Sequence, residues 1–207
     1  MTGRIAIVAA LVLCMEAGAA AQDRMPPIPR DKMTEAQKKA ADELIAGRRG
    51  ALVGPFHPLL RSPELMSRLQ KTGEYLRFSN SIGPKLTELV ILLTARDWTQ
   101  QFEFNAHQPL GLKAGLKQEL IEAIAEGRRP EGMAEDEAAV YDFCGELQRN
   151  RSVSDATYAR AAKRFGEQGV IDMTGLTGYY TVLAMIMNVA RTPLPEGAKA
   201  PLAVFPK

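Results

Sequence analysis

The chain has 207 residues, 46% of them hydrophobic and 24% charged, with a formal net charge of +2. That composition excludes disorder as the main state, and the interspersed acidic and basic residues leave no electrostatic footprint for a nucleic acid. The length suits one domain with a substantial core.

Residues 1–21 have the form of a secretory signal. Arg4 supplies the positive start, Ile5 to Met15 the apolar centre, and Ala19-Ala20-Ala21 a small-residue cleavage pattern ahead of Gln22. The apolar run is short for a membrane span, so the expectation is export, to a bacterial periplasm, with no stable membrane insertion after cleavage. An uncleaved anchor is the competing reading, and lipidation at Cys14 is disfavoured by the bulky Leu13 before it. Cleavage leaves Cys144 as the lone cysteine of the mature chain, so no intramolecular disulfide can form. In its apolar setting, Val140 to Cys144, this thiol reads as a small buried hydrophobe, since no neighbour in sequence would lower its pKa.

The proline-rich stretch Met25 to Pro29 predicts an extended arm over residues 22–33. Thr34 with Gln37 forms a capping box, opening an amphipathic helix that Gly47 ends. Arg48 to Arg61 carries Gly50, Gly54, Pro55 and Pro58, and is expected to be a loop; His57 within it sits either at the surface or over a pocket. Ser62-Pro63-Glu64 predicts a capped helix start, with Leu65, Leu69, Thr72 and Leu76 as its inward stripe, ending over Ser79 to Gly83.

Pro84 begins the next helix, whose run Leu89 to Leu93 is apolar enough to be buried on most sides. Glu88 stands at the edge of that run, either as a desolvated carboxylate or on an exposed helix face. Further on, Gln100, Glu103 and His107 are spaced to share one face of a helix. An unbroken helix would hold Glu88 and His107 about 28 Å apart, so a partnership between them requires a turn. We place that turn at Arg96-Asp97, with Asp97 as N-cap. His107 alone is either a satisfied core residue or a working group, and Trp98, Phe102 and Phe104 read as core or pocket wall.

A helix to Gly115, a short one from Leu116 to Ala125 closed by Gly127, and a longer one from Glu131 to Arg149 follow. Ser154-Asp155 caps a helix that Gly166 stops. The last runs from about Gln168 to Arg191, apolar at Val170, Met173, Leu176, Tyr180, Leu183, Met187 and Ala190, and nearly apolar all round from Val182 to Val189, as a subunit interface would require. Without a period-two strand pattern, the fold class is all-α: a helical domain over 34–197 and an extended tail over 198–207. With two histidines in the chain, a metal would have to use Glu88, Glu103 and His107, and no phosphate loop, nucleotide fingerprint, nucleophile elbow or zincin motif occurs. Neither a metal nor a cofactor is expected, only a small-molecule substrate.

The chain resembles the carboxymuconolactone decarboxylase family, a branch of the alkylhydroperoxidase-D-like superfamily. The resemblance runs from about Pro26 to Gly197 through Gly54-Pro55-Phe56, Ser62-Pro63-Glu64-Leu65, Tyr75-Leu76-Arg77-Phe78, Thr94-Ala95-Arg96-Asp97-Trp98, Phe102-Glu103-Phe104-Asn105-Ala106-His107, Gly178-Tyr179-Tyr180 and Pro193-Leu194-Pro195. It implies a helical bundle assembled as a homo-oligomer, from trimer to hexamer. Glu88 and His107 match the family's proton-transfer positions, while Gln100 and Glu103 occupy the two cysteine positions of the peroxidase branch, which excludes disulfide cycling. The decarboxylase branch needs no cofactor, because loss of CO2 from a carboxylated lactone leaves electrons that delocalise into a dienolate. The resemblance therefore implies Glu88 and His107 as catalytic groups, with Arg96, Trp98, Gln100 and Glu103 placed to bind substrate. Another cofactor-free lyase or isomerase, and a non-catalytic ligand-binding oligomer, are the alternatives.

Overall fold

The computed structural model describes residues 22–204, and the signal segment proposed for residues 1–21 lies outside them. Among the described residues there are eight α-helices and no strand: α1 (Glu35–Ala46), α2 (Phe56–Leu59), α3 (Pro63–Phe78), α4 (Pro84–Asp97), α5 (Gln101–Lys113), α6 (Gln118–Ala125), α7 (Glu135–Asn150) and α8 (Asp155–Ala190). The protein is all-α, as its periodicity predicts.

Helix α4 is the centre of the fold, with α5, α6, α7 and α8 packed around it. Its apolar run explains why: Leu89, Val90, Ile91 and Leu92 are all fully buried, which no one-sided amphipathic helix would achieve. Lys85 ties α4 to α7, its Nζ 3.2 Å from Asp136 and 3.1 Å from Glu137. Asp172 ties α8 to the turn before α4 by accepting from the backbone N–H and hydroxyl of Ser81 and from the Tyr75 hydroxyl.

Helix α8 bends at Gly166, where φ is 69° and ψ 174°, a conformation that glycine adopts without strain. The predicted stop and restart fall at this residue, which divides α8 into two helical segments. By length and a mean hydropathy of 1.3 α8 is apolar enough to cross a membrane, while 56% of its apolar window is buried inside the protein. Its inward stripe is the predicted one, with Met173, Leu176, Tyr180, Leu183 and Met187 at or below 1% exposure. Its outward face carries Ile171, Met185 and Val189, at 69%, 39% and 58% exposure.

Several local expectations are corrected. Ser62 precedes α3 without a side-chain cap, and the buried stripe of α3 is Met66, Gln70, Gly73 and Leu76, leaving Leu65 and Thr72 exposed. The stripe is shifted because α3 must present its smallest residue, Gly73, to Tyr179 of α8. The glycine- and proline-rich stretch before α3 contains a helical turn, α2, seeded by Pro55 and closed on buried Phe56 and Leu59. Helix α7 starts at Glu135 rather than Glu131, where the Glu137 carboxylate reaches back to the Ala134 N–H at 2.9 Å. The arm is extended apart from a 3-10 turn at Arg30–Lys32, and it is pinned by Arg24 N–H to the Ala190 carbonyl and by Arg61 to the Pro26 carbonyl.

Cys144 is fully buried, its Sγ 3.6 Å from the Thr177 hydroxyl, and burial pushes the thiol up to about 12. In a chain freed of residues 1–21, and so of Cys14, the folded protein is expected to be inert to a thiol-titrating disulfide reagent that modifies the unfolded chain at once. Rapid modification of folded protein would contradict this placement.

Candidate functional site

The turn between α4 and α5 lies at residues 98–100, not at Arg96-Asp97. Asp97 is the last residue of α4, and Gln100 takes the N-cap position, its side-chain oxygen accepting from the Glu103 N–H at 3.1 Å. The reversal is tight: the Gln100 N–H reaches the Ala95 carbonyl at 2.7 Å, and Thr99 is held at a φ of 48°, which a β-branched residue rarely adopts. Asn188 of α8 clamps it, donating to the Trp98 carbonyl at 3.1 Å and accepting from the Gln100 amide at 3.0 Å.

Folding α5 back along α4 brings His107 against Glu88. Nδ1 of the imidazole lies 2.6 Å from Glu88 Oε2, and Nε2 lies 3.1 Å from Glu103 Oε1 on its own helix. Both ring nitrogens thus face carboxylates, and the three residues are 3% to 8% exposed. Burial alone would lower the pKa of this histidine, but hydrogen bonds to Glu103 and Glu88, and the charges behind them, outweigh it and hold the ring above the ordinary histidine value. With a carboxylate at each nitrogen, the ring keeps its proton to higher pH than an ordinary histidine, and when protonated it donates from both nitrogens.

That shift has a definite sign in stability. The folded ring binds its proton more tightly than the unfolded one, so the contribution is complete below about pH 6.5 and is lost as pH rises through the folded value. The stability difference between the wild type and His107→Gln, followed by urea unfolding, is expected to shrink as pH is raised from about 6.5 into the alkaline range. A difference that grows over that interval would contradict the clasped imidazolium.

Around this cluster lies a layer the sequence did not single out as functional. The Tyr180 ring stands edge-on to His107, centroids 5.5 Å apart at 85°, and its hydroxyl is buried without a partner. Tyr179 packs edge-on against Tyr180 at 5.4 Å and accepts from Arg49 Nη2 at 3.1 Å. Burial raises both phenols, so each keeps its proton. Arg49 stacks over Phe56, 4.8 Å from the ring centroid, and the Tyr179 hydroxyl fits a notch left by Gly73, where a Cβ would lie 2.1 Å from it. The one available signal was Tyr180 itself: a phenol in an otherwise apolar buried stripe demands a partner.

Two atoms at this centre lack partners, Glu103 Oε2 and the Tyr180 hydroxyl. Of the residues singled out from sequence, Glu88, Gln100, Glu103 and His107 come together. Arg96 stands two turns further along α4, donating to the Ala203 carbonyl at 2.8 Å, and Trp98 serves the turn through its carbonyl. His57 lies beside an apolar cavity of about 340 Å³ formed with the arm, Phe102 and residues 192–195. Among the described residues, no group of three or more His, Cys, Asp or Glu is arranged to hold a metal ion.

No protein-family model and no curated protein matches this chain.

Proposed function

We propose that the chain is a cofactor-free acid/base enzyme, and that its reaction is decarboxylation of a carboxylated lactone or a similar enolisable acid. The observation that carries this reading is the buried Glu88–His107–Glu103 relay ending in an unpartnered carboxylate oxygen. Because both nitrogens of His107 are occupied, the ring is the middle of the relay, and Glu103 is its substrate end. Glu88, the most exposed of the three side chains at 11%, is the end nearest solvent.

The steps balance without an electron sink. The bond to CO2 breaks heterolytically and its electron pair enters the conjugated lactone as a dienolate. The imidazolium passes its Nε2 proton to the Glu103 carboxylate, which delivers it to carbon, and the ring, now neutral, is reprotonated at Nδ1 by a proton taken from solvent through Glu88. The Tyr180 hydroxyl, kept protonated by burial, donates to the developing oxyanion in a site where such a bond is strongest. The resemblance to the carboxymuconolactone decarboxylase family supports this substrate class. The test is an ultraviolet assay of the purified protein with γ-carboxymuconolactone: turnover that His107→Ala abolishes is expected, and no turnover in the wild type would reject this substrate.

The second reading is a structural polar cluster in a non-catalytic protein, favoured by the low exposure of all three residues. The same proposal includes self-association through the outward face of α8, where Ile171, Met185 and Val189 share one apolar stripe. Sedimentation at micromolar concentration is expected to show a trimer or larger; a monomer would reject it.

A further inference from the structure

A cavity of about 260 Å³ lies where α3 ends and α4 begins, with Arg48 from the segment after α1 completing its wall. Two guanidinium groups line it, from Arg48 and Arg77, and no carboxylate does. Both converge on one ring: Arg48 lies 4.6 Å from the Phe78 centroid and Arg77 5.1 Å. The carboxyl end of α3 favours positive charge, so the two cations are held side by side without an acid between them.

The fold leaves these cations available to a ligand. Among the described residues Arg77 has no hydrogen-bond or ion-pair partner, and its printed contact is the stack on Phe78. Arg48 uses Nη1 alone, donating to the Phe78 carbonyl at 3.1 Å and the Ser79 hydroxyl at 3.3 Å, which fixes the side chain without neutralising it. The other polar groups of the wall are satisfied internally. Asn80 accepts from the Ile82 and Gly83 N–H groups and donates to the Thr87 hydroxyl, which donates in turn to the Gly83 carbonyl. Recognition therefore falls to the two guanidinium groups, with Phe78 and Pro84 as the apolar surface beside them.

We propose that this cavity binds a small aliphatic dicarboxylate with both acid groups ionised. Two cations and no anion in the wall match a doubly charged ligand. Arg77 offers its whole fork to one carboxylate, and Arg48 its remaining nitrogens to the other. The volume holds a short carbon chain as well as the charged groups, which separates this ligand from an inorganic oxyanion. That chain lies against Phe78 and Pro84. The site does not depend on the lyase reading, since none of its residues belongs to the relay.

Calorimetric titration of the full chain with glutarate near pH 7 tests this, with butyrate as the single-acid control and glutaramide as the uncharged one. Saturable binding of glutarate is expected, about tenfold or more weaker for butyrate and absent for glutaramide. Arg77→Gln and, separately, the more exposed Arg48→Gln are each expected to weaken glutarate binding about tenfold or more. Lys39→Gln, the same change in net charge on the exposed face of α1, and Glu103→Gln are expected to bind glutarate as the wild type does. Any of five results would overturn the proposal. These are no saturable heat up to about 10 mM glutarate, butyrate binding as tightly as glutarate, and inorganic phosphate binding more tightly than glutarate. The others are an equal loss in Lys39→Gln, which would show general attraction to a basic protein, and a loss in Glu103→Gln, which would place the ligand at the relay.

Discussion

Glu103→Gln is expected to leave the protein folded and to lower turnover by about 10²–10⁴-fold, the range for loss of a positioned acid. Glutamine is isosteric and its carbonyl can still accept from His107 Nε2, so the 3.1 Å contact survives. What is lost is the ability to carry a proton from that nitrogen to Oε2, the unpartnered atom at the end of the relay. The substitution separates catalysis from packing. If Glu103 served only to hold the ring, the glutamine variant would turn over at the wild-type rate, and the proton path would end elsewhere.

His107→Ala is expected to have the largest effect on stability, about 3–5 kcal/mol at neutral pH by urea unfolding. Removing the ring leaves Glu88 and Glu103 buried on either side of a cavity, each deprived of its cationic partner. Most of that loss comes from stranded carboxyl groups rather than from missing imidazole contacts. The double variant His107→Ala/Glu88→Gln is accordingly expected to be more stable than His107→Ala alone, a non-additivity typical of residues in one network. A double variant less stable than the single one would show that Glu88 contributes through packing rather than charge.

The fold class was legible because helix signals in this chain are strong and local. Thr34 and Gln37 form the capping box the spacing implies, with Gln37 N–H donating to the Thr34 hydroxyl and Thr34 N–H to the Gln37 side chain. The buried stripe of α8 follows from its period alone. The turn position was not legible: Asp97 is a better N-cap than Gln100 by propensity, and the choice was settled by Asn188, 88 residues from Gln100, holding both sides of the turn. Asp97 remains the last helical residue because the cap that stabilises α5 lies three residues later.

Spacing on one helix face put Glu103 beside His107, and the requirement for a turn put Glu88 opposite it. Their hydrogen-bond order was beyond the sequence, since nothing local says which nitrogen meets which carboxylate. Tyr179, Tyr180 and Arg49 escaped notice as site residues for a related reason. They come from α8 and from a loop 130 residues away, and only the notch at Gly73 brings Arg49 and Tyr179 together. Arg96 shows the converse, being near the relay in sequence and about 12 Å along α4 from Glu88 by helix rise.

The proposed chemistry rests on His107 holding a proton on each ring nitrogen, one toward each carboxylate. Nitrogen-15 NMR of the full chain, labelled in histidine and recorded near pH 8, tests it before any substrate is known. At that pH an ordinary histidine is neutral. Both ring nitrogens of His107 are expected to carry protons, with two downfield N–H resonances that His107→Gln removes. A single protonated nitrogen, with the other at the position of an unprotonated ring nitrogen, would contradict it.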